Sequence, residues 1–273
     1  MNKADINGIT LEYEVHGNGE PVVLIHGSHI ADAFVPLLEQ AALAERYKLT
    51  LYHRRGFAGS THSDDPLSIE QQAADCLALM RHLDMPRAHV VGHSYGGAIA
   101  LQLASAAPDA VQSLALLEPA LFMVPSGPMF MQAMAPLVET YAAGDKVAAV
   151  DGFLKAVVGP EYRVALDAVL PDAFEQAVAD ADTFFQVELP ALQQWTLAAG
   201  DVAGFPRPVL SVRGADSPSL WPGWLEVEQL LQAWFPQAET FVLDNATHGL
   251  QITDPAPVAR RLAGFLARHL ADG

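Results

Sequence analysis

Val90-Val91-Gly92-His93-Ser94-Tyr95-Gly96-Gly97-Ala98 is the stretch on which the fold of this chain turns. An apolar run leads into it, and the helix-forming residues 95–106 lead out. Between them lies Gly92-x-Ser94-x-Gly96. A chain that turns this sharply from strand to helix puts its serine in a strained backbone conformation, and side chains on either flank would collide. Gly97 and Ala98 let the following helix approach the sheet closely. The helix N-terminus adds a field that favours negative charge. Alone, such a pattern is weak. Set between this strand and this helix, it marks Ser94 as a nucleophile.

Outward from this point, short β-type runs alternate with helical ones. Residues 11–15 alternate apolar and polar, as in a half-exposed strand. Residues 21–25, 88–91, 113–117 and 208–212 are near-continuous apolar runs of the kind buried on both faces. Residues 49–52 and 240–243 complete the strand set. Helices are expected over 33–47, 68–83 and 258–270, the second opened by a Ser68/Gln71 capping box. This alternation means a mostly parallel sheet with helices on both faces, an α/β fold. Residues 121–204 break it: they read as helical throughout and are rich in Phe, Met and Trp. They are expected to form a lid over the strand ends, where ligands of such sheets bind.

Composition narrows the function. The 273 residues carry 32 acids against 15 bases, a formal net charge of −17. Such a surface repels phosphate backbones and anionic membranes, so neither nucleic acid nor membrane is an expected partner. The single cysteine, Cys76, sits in a helical apolar pattern and reads as a buried core residue. No apolar stretch of signal-peptide type follows Met1, and no run reaches membrane-spanning length, so a cytoplasmic protein is expected. A homodimer is left open. No metal-ligand pattern is visible, and Gly17-x-Gly19 reads as a turn because it lacks the third glycine and the helix of a dinucleotide loop.

With these residues the chain resembles the α/β-hydrolase family, in its serine-nucleophile, esterase- and lipase-like branch, over nearly its whole length. The resemblance implies an eight-stranded-type sheet, with residues 1–120 and 205–273 as the core and 121–204 as a helical lid inserted after the sixth strand. His26-Gly27-Ser28-His29 is similar to the family's oxyanion loop. The backbone N–H groups of Ser28 and Tyr95 would be the oxyanion donors, with His26 a structural hydrogen bonder. Arg54-Arg55-Gly56-Phe57-Ala58-Gly59-Ser60 is similar to a scaffolding stretch, with His53 where the family usually has Asp and Ala58 where it often has Gly. Asp244-Asn245-Ala246-Thr247-His248-Gly249, after the last strand, is similar to the base loop and singles out His248 among ten histidines.

A serine hydroxyl needs such an imidazole to take its proton, and the imidazole needs a carboxylate to hold its tautomer. Two acids stand at strand ends. Glu118, followed by Pro119, resembles the acid of some members, one group of haloalkane dehalogenases among them. Asp216 lies nearer the family's commoner site, but one position early after Gly214. Both remain candidates.

Serine as nucleophile excludes epoxide and alkyl-halide opening, which need a carboxylate. What remains is mainly acyl transfer to water, from esters, lactones, thioesters or amides, and the expected substrate is a small to medium, apolar carboxylic ester or lactone, with no cofactor. His29, Phe122 and Trp195 are expected at the substrate, whereas Trp221, Trp224 and Trp234 are expected to pack a helix. Perhydrolase, haloperoxidase-like or C–C bond hydrolase chemistry would use the same triad. A non-catalytic ligand receptor is the alternative of another class, and sustained turnover separates it from an enzyme.

Overall fold

The central apolar runs feed two cores at once, because alternate side chains of a strand leave opposite faces of a sheet. A computed structural model of the chain describes residues 1–62 and 66–270. In β3 (Glu20–Ile25), Val23 and Ile25 join one apolar cluster while Val22 and Leu24 join the other. The same division splits Val90 from Val91 in β5 (Ala88–His93), and Leu114 and Leu116 from Ala115 and Leu117 in β6 (Val111–Leu117).

The remaining strands are β1 (Asn2–Ile6), β2 (Ile9–His16), β4 (Tyr47–His53), β7 (Val209–Gly214) and β8 (Glu239–Leu243). They form one eight-stranded sheet in the order β1-β2-β4-β3-β5-β6-β7-β8. β2 runs antiparallel to both its neighbours, and every other pairing is parallel. Strand β1 falls where only a polar stretch was expected. Its side chains alternate, Ala4 and Ile6 buried and Asn2, Lys3 and Asp5 exposed. Asn7-Gly8, with φ of 51° and 80°, closes the hairpin in the two-residue form that needs positive φ at both positions.

Helices α1 (Val35–Leu38) and α2 (Ala41–Ala44) replace the single helix expected over 33–47, because Gln40 is extended at φ −79°, ψ 111° and β4 already begins at Tyr47. Helix α3 (Ile69–His82) opens with both hydrogen bonds of the Ser68/Gln71 capping box and carries Cys76 fully buried. Helix α4 (Tyr95–Ala106) starts directly after Ser94.

Between β6 and β7 the described chain is helical: α5 (Gly127–Ala142), α6 (Lys146–Val158), α7 (Tyr162–Val169), α8 (Ala173–Ala179), a π-helical turn Thr183–Glu188, α9 (Leu189–Gln194) and α10 (Ala199–Val202). Phe130, Phe153 and Phe184 from this segment share an apolar cluster with Val90 and Leu114 of the sheet. The chain ends with α11 (Ser217–Leu220), α12 (Gly223–Trp234), α13 (Leu250–Thr253) and α14 (Pro255–Leu266). Among the described residues, no helix is long and apolar enough to cross a membrane.

The close approach that the sequence reading demanded is tightest at Gly96. A Cβ there would strike the carbonyl oxygens of Ile25 and His26, both backbone atoms that cannot swing away. Gly96→Ala is expected to lower stability by about 1–3 kcal/mol, as overpacking of a rigid site does. Calorimetric unfolding of the variant beside wild type checks it.

Candidate active site

Ser94 sits at φ 54°, ψ −121°, a conformation costly for any residue with a Cβ, and it persists because four backbone bonds surround it. Its N–H donates to Leu117 O (3.0 Å), at the end of the neighbouring strand. Its carbonyl accepts from Gly97 and Ala98 inside the turn, and from Ala120 N–H at 2.9 Å. The segment 117–120 therefore wraps the serine, and that segment carries Glu118.

Glu118 is 2 % exposed and also has positive φ, 43°. Its Oε2 lies 2.7 Å from His248 Nδ1, and its Oε1 accepts the Gly214 N–H at 2.8 Å. Both carboxylate oxygens thus have partners, one of them at the end of β7 where the commoner acid site lies. Asp216 is not brought to the imidazole. It is exposed, its backbone N–H bonds to Ala246 O, and it precedes α11 without capping it through its side chain. Of the two open candidates, only Glu118 meets His248.

The imidazole of His248 is flanked by two rings. The Trp224 indole stacks on it at 4.2 Å and 20°, and the His93 imidazole lies at 4.6 Å and 36°. His93 Nε2–H donates to the His248 carbonyl at 2.9 Å. Burial, then the nearby His248, holds His93 well below the usual imidazole range, so it is neutral. Trp224, expected only to pack a helix, is at the site. Nothing in its sequence position marked it.

The loop after β3 closes over Ser94. A Cβ on Gly27 would come within 2.9 Å of Ser94 Cβ and 3.0 Å of His93 Nδ1, so only glycine lets this loop lie against Ser94. The N–H groups of Ser28 and Tyr95 have no backbone acceptor among the described residues. His26 accepts the Arg54 N–H on Nε2 (3.0 Å), which leaves Nδ1–H to donate to Gly27 O at 2.7 Å. Burial, then the Arg54 guanidinium, keeps His26 well below its usual range, in keeping with its expected structural role.

Arg54 is more than local scaffolding. It is 1 % exposed, donates from Nε to His26 O (2.9 Å) and from Nη2 to Gly27 O (2.9 Å), and pairs through Nη1 with Gln72 and Glu188. Glu188, fully buried on the π-helical turn, also accepts the Ser28 hydroxyl at 2.6 Å. Thr183 Oγ1 donates to Gly56 O, and Asp180 accepts the Ala58 N–H, so this edge of the helical segment is stitched to residues 54–58. Ala58 has φ 47°, which is why a glycine is common there. The sequence reading missed Glu188. Its signal was a lone carboxylate in the apolar run Val187-Glu188-Leu189.

The cavity beside Ser94 and His248 is lined by Ser28, Tyr95, Ala120 and Trp224, and by Phe122, Phe130, Phe153, Phe184, Leu189 and Leu192 from the segment between β6 and β7. It encloses about 20 Å³, and a second pocket behind it, also touching Ser94 and His248, about 30 Å³. Phe122 thus lines the cavity as expected. His29 and Trp195 do not, and this corrects the expectation. His29 is fully buried behind the wall, its ring 4.8 Å from Phe153 and 4.5 Å from Phe184. Trp195 donates its indole N–H to Gln102 and lines an outer cavity of about 260 Å³, which shares Ala120, Phe122 and Leu192 with the inner one.

A sequence model described as alpha/beta hydrolase fold matches residues 15–255. The chain belongs to the α/β-hydrolase fold family. The dihydrolipoyllysine-residue acetyltransferase component of the acetoin cleaving system of Pseudomonas putida is 29 % identical over 98 % of this α/β-hydrolase and 69 % of its own length. Putative carbamate hydrolases of Azorhizobium caulinodans and Caulobacter segnis are 38 % and 34 % identical over 39 % and 42 % of this chain and 40 % and 44 % of their own lengths. Among solved structures, the enol-lactonase of Burkholderia xenovorans LB400 is similar with a TM-score of 0.81 at 22 % identity, covering 97 % of this chain and 100 % of that one. A thermophilic esterase from Thermogutta terrifontis is similar with a TM-score of 0.83 at 18 % identity, covering 99 % and 100 %.

Two outcomes follow from the buried charges. Glu188→Ala leaves Arg54 unpaired in the interior and is expected to cost about 3–5 kcal/mol, read from urea unfolding. His29 has its pKa lowered to about 3, by burial first, with the Ala177 carbonyl opposing weakly. The unfolded chain therefore binds a proton near pH 6.5 that the folded chain refuses until about pH 3. The stability this group contributes is present above the unfolded value and is lost as pH falls through that window. Between pH 6 and 4 wild type should lose stability more steeply than His29→Leu, by up to about 1.4 kcal/mol per pH unit. Equal slopes in unfolding titrations would contradict the assignment.

Proposed function

We propose that this chain is a serine hydrolase that cleaves a small to medium, apolar carboxylic ester or lactone through an acyl-enzyme on Ser94. The observation that carries the reading is the buried His248–Glu118 contact of 2.7 Å, in a cavity that His248 shares with a strained Ser94. Glu118 holds Nδ1–H, which leaves the Nε2 lone pair as the base for the serine proton. As Ser94 Oγ bonds to the carbonyl carbon, the Ser28 and Tyr95 N–H groups receive the oxyanion. One such donor contributes roughly 3–4 kcal/mol of barrier lowering. His248 then gives its proton to the leaving oxygen, and water repeats the sequence to free Ser94. No cofactor enters these steps.

The residues 121–204 act as the lid. The inner cavity has room for little more than a water molecule, so a substrate enters by displacing Phe122 and Leu192, between it and the outer cavity walled by Trp195. The apolar lining favours an apolar acyl or alcohol group. The enol-lactonase and esterase named among similar structures support the ester and lactone class.

A fluorophosphonate probe should label Ser94 in the folded protein. On a panel of aryl esters and lactones, Ser94→Ala and Glu118→Gln should each lower kcat by about 10³–10⁴-fold or more, while Asp216→Ala stays within about threefold of wild type. An unlabelled Ser94, or full turnover in Glu118→Gln, overturns the reading.

A further inference from the structure

The imidazole of His248 lies between two rings of different character. On one face is the Trp224 indole, 4.2 Å away and within 20° of parallel. On the other is the His93 imidazole, which burial first, and then the nearby His248, keeps neutral. Trp224 and His248 are only 3 % and 4 % exposed. A buried indole N–H usually finds an acceptor. That of Trp224 has none among the described residues. No hydrogen bond therefore sets the place of this ring. Its packing does, with His248 stacked on it and the Trp221 ring set against it at 5.0 Å and 84°. Trp221 in turn is anchored by its own indole N–H, which donates to Ser126 O at 3.1 Å.

We infer that Trp224 is a positioning residue for the base: it fixes the plane of the His248 ring and stabilises the imidazolium that exists while the Ser94 proton is in transit. This rests on the proposed acyl transfer at Ser94. Rings on both faces and Glu118 on Nδ1 leave the imidazole little freedom to turn. His93, with its Nε2–H given to the His248 carbonyl, steadies one face without supplying charge. Trp224 does more. An aromatic face carries negative potential, indole more than any other side chain, and it attracts a cation stacked on it. Acting as a base, the imidazole starts neutral and gains little from that face. It becomes a cation when the Ser94 proton reaches Nε2, and is neutral again once that proton has left on the alcohol oxygen. The attraction is thus realised in the transition state and not with bound substrate, and a contact of that kind raises kcat and leaves KM alone. Deacylation repeats the cycle with water, so the effect holds whichever half-reaction limits turnover.

Fluorinated tryptophans probe the charge without changing the shape, because fluorine nearly preserves the size of the ring and draws electron density from its face. The chain has four tryptophans. Biosynthetic replacement of all of them by mono-, di- and trifluorotryptophan should lower kcat for phenyl acetate stepwise, by about three- to tenfold in all, with KM held within about twofold. In Trp224→Phe only Trp195, Trp221 and Trp234 take the label. There the same series should leave kcat within about 1.5-fold of the unlabelled variant. Without label, Trp224→Phe keeps a weaker face and should lose about two- to threefold in kcat, against about ten- to thirtyfold for Trp224→Leu, which has none. Trp224→Tyr serves where Trp224→Phe does not fold, and labelled wild type needs no variant. An equal kcat at every degree of fluorination overturns the inference. So does a change confined to KM, or a fall of the same size in Trp224→Phe. Phenol release by wild type no faster than by Ser94→Ala overturns the acyl-transfer reading instead.

Discussion

The bond from Ser94 N–H to Leu117 O joins the end of one central strand to the end of the next, and much of the site depends on it. It holds the serine backbone in a conformation that relaxed chains avoid. It also fixes the start of residues 118–120, whose Ala120 N–H returns to the Ser94 carbonyl. Ser94 and Glu118 are thus parts of one hydrogen-bonded knot between β5 and β6. His248 comes from far along the chain and meets this knot at Glu118. The close fit of Gly27 and Gly96 against the same turn follows from the knot's rigidity: with backbone on both sides, there is nowhere for a methyl group to go.

A second constraint is the buried pair of Arg54 and Glu188. Buried ion pairs seldom add stability over an apolar pair of similar shape, but a half-removed pair is severely unfavourable. This one joins the helical segment to the loop that carries His26, Gly27 and Ser28. Separating that edge from the body would strand two charges in an apolar interior. The helical segment is therefore held to the body of the fold along this edge. The Thr183–Gly56 and Asp180–Ala58 bonds act in the same sense.

Much of the fold was legible because it is written in local patterns. Continuous apolar runs fixed the central strands, and Ser68 with Gln71 fixed the start of α3. The placing of Ser94 in a strand-to-helix turn and of His248 after the last strand was legible because glycine spacing and position after a strand are sequence-local signals. Strand β1 was overlooked because only two of its five side chains are buried, though Asn7-Gly8 did mark its hairpin. The acid stayed open between Glu118 and Asp216 because the choice depends on the direction of a side chain across the sheet. Trp224, Glu188 and the true place of Trp195 were not legible for the same reason. Each is decided by which distant element a helix packs against, and in the case of Glu188 by a single π-helical turn.

With its carboxylate supplied from β6, the chain asks only one thing of the end of β7, the Gly214 N–H that Glu118 accepts. The residues that follow, 215–222, carry no side chain bonded to His248. This stretch contains Trp221, whose ring packs on Phe122, and leads into Trp224, whose ring stacks on His248. The wall of the cavity and the contact that holds the imidazole thus come from separate parts of the chain, so a change of side chain at one leaves the covalent framework of the other in place.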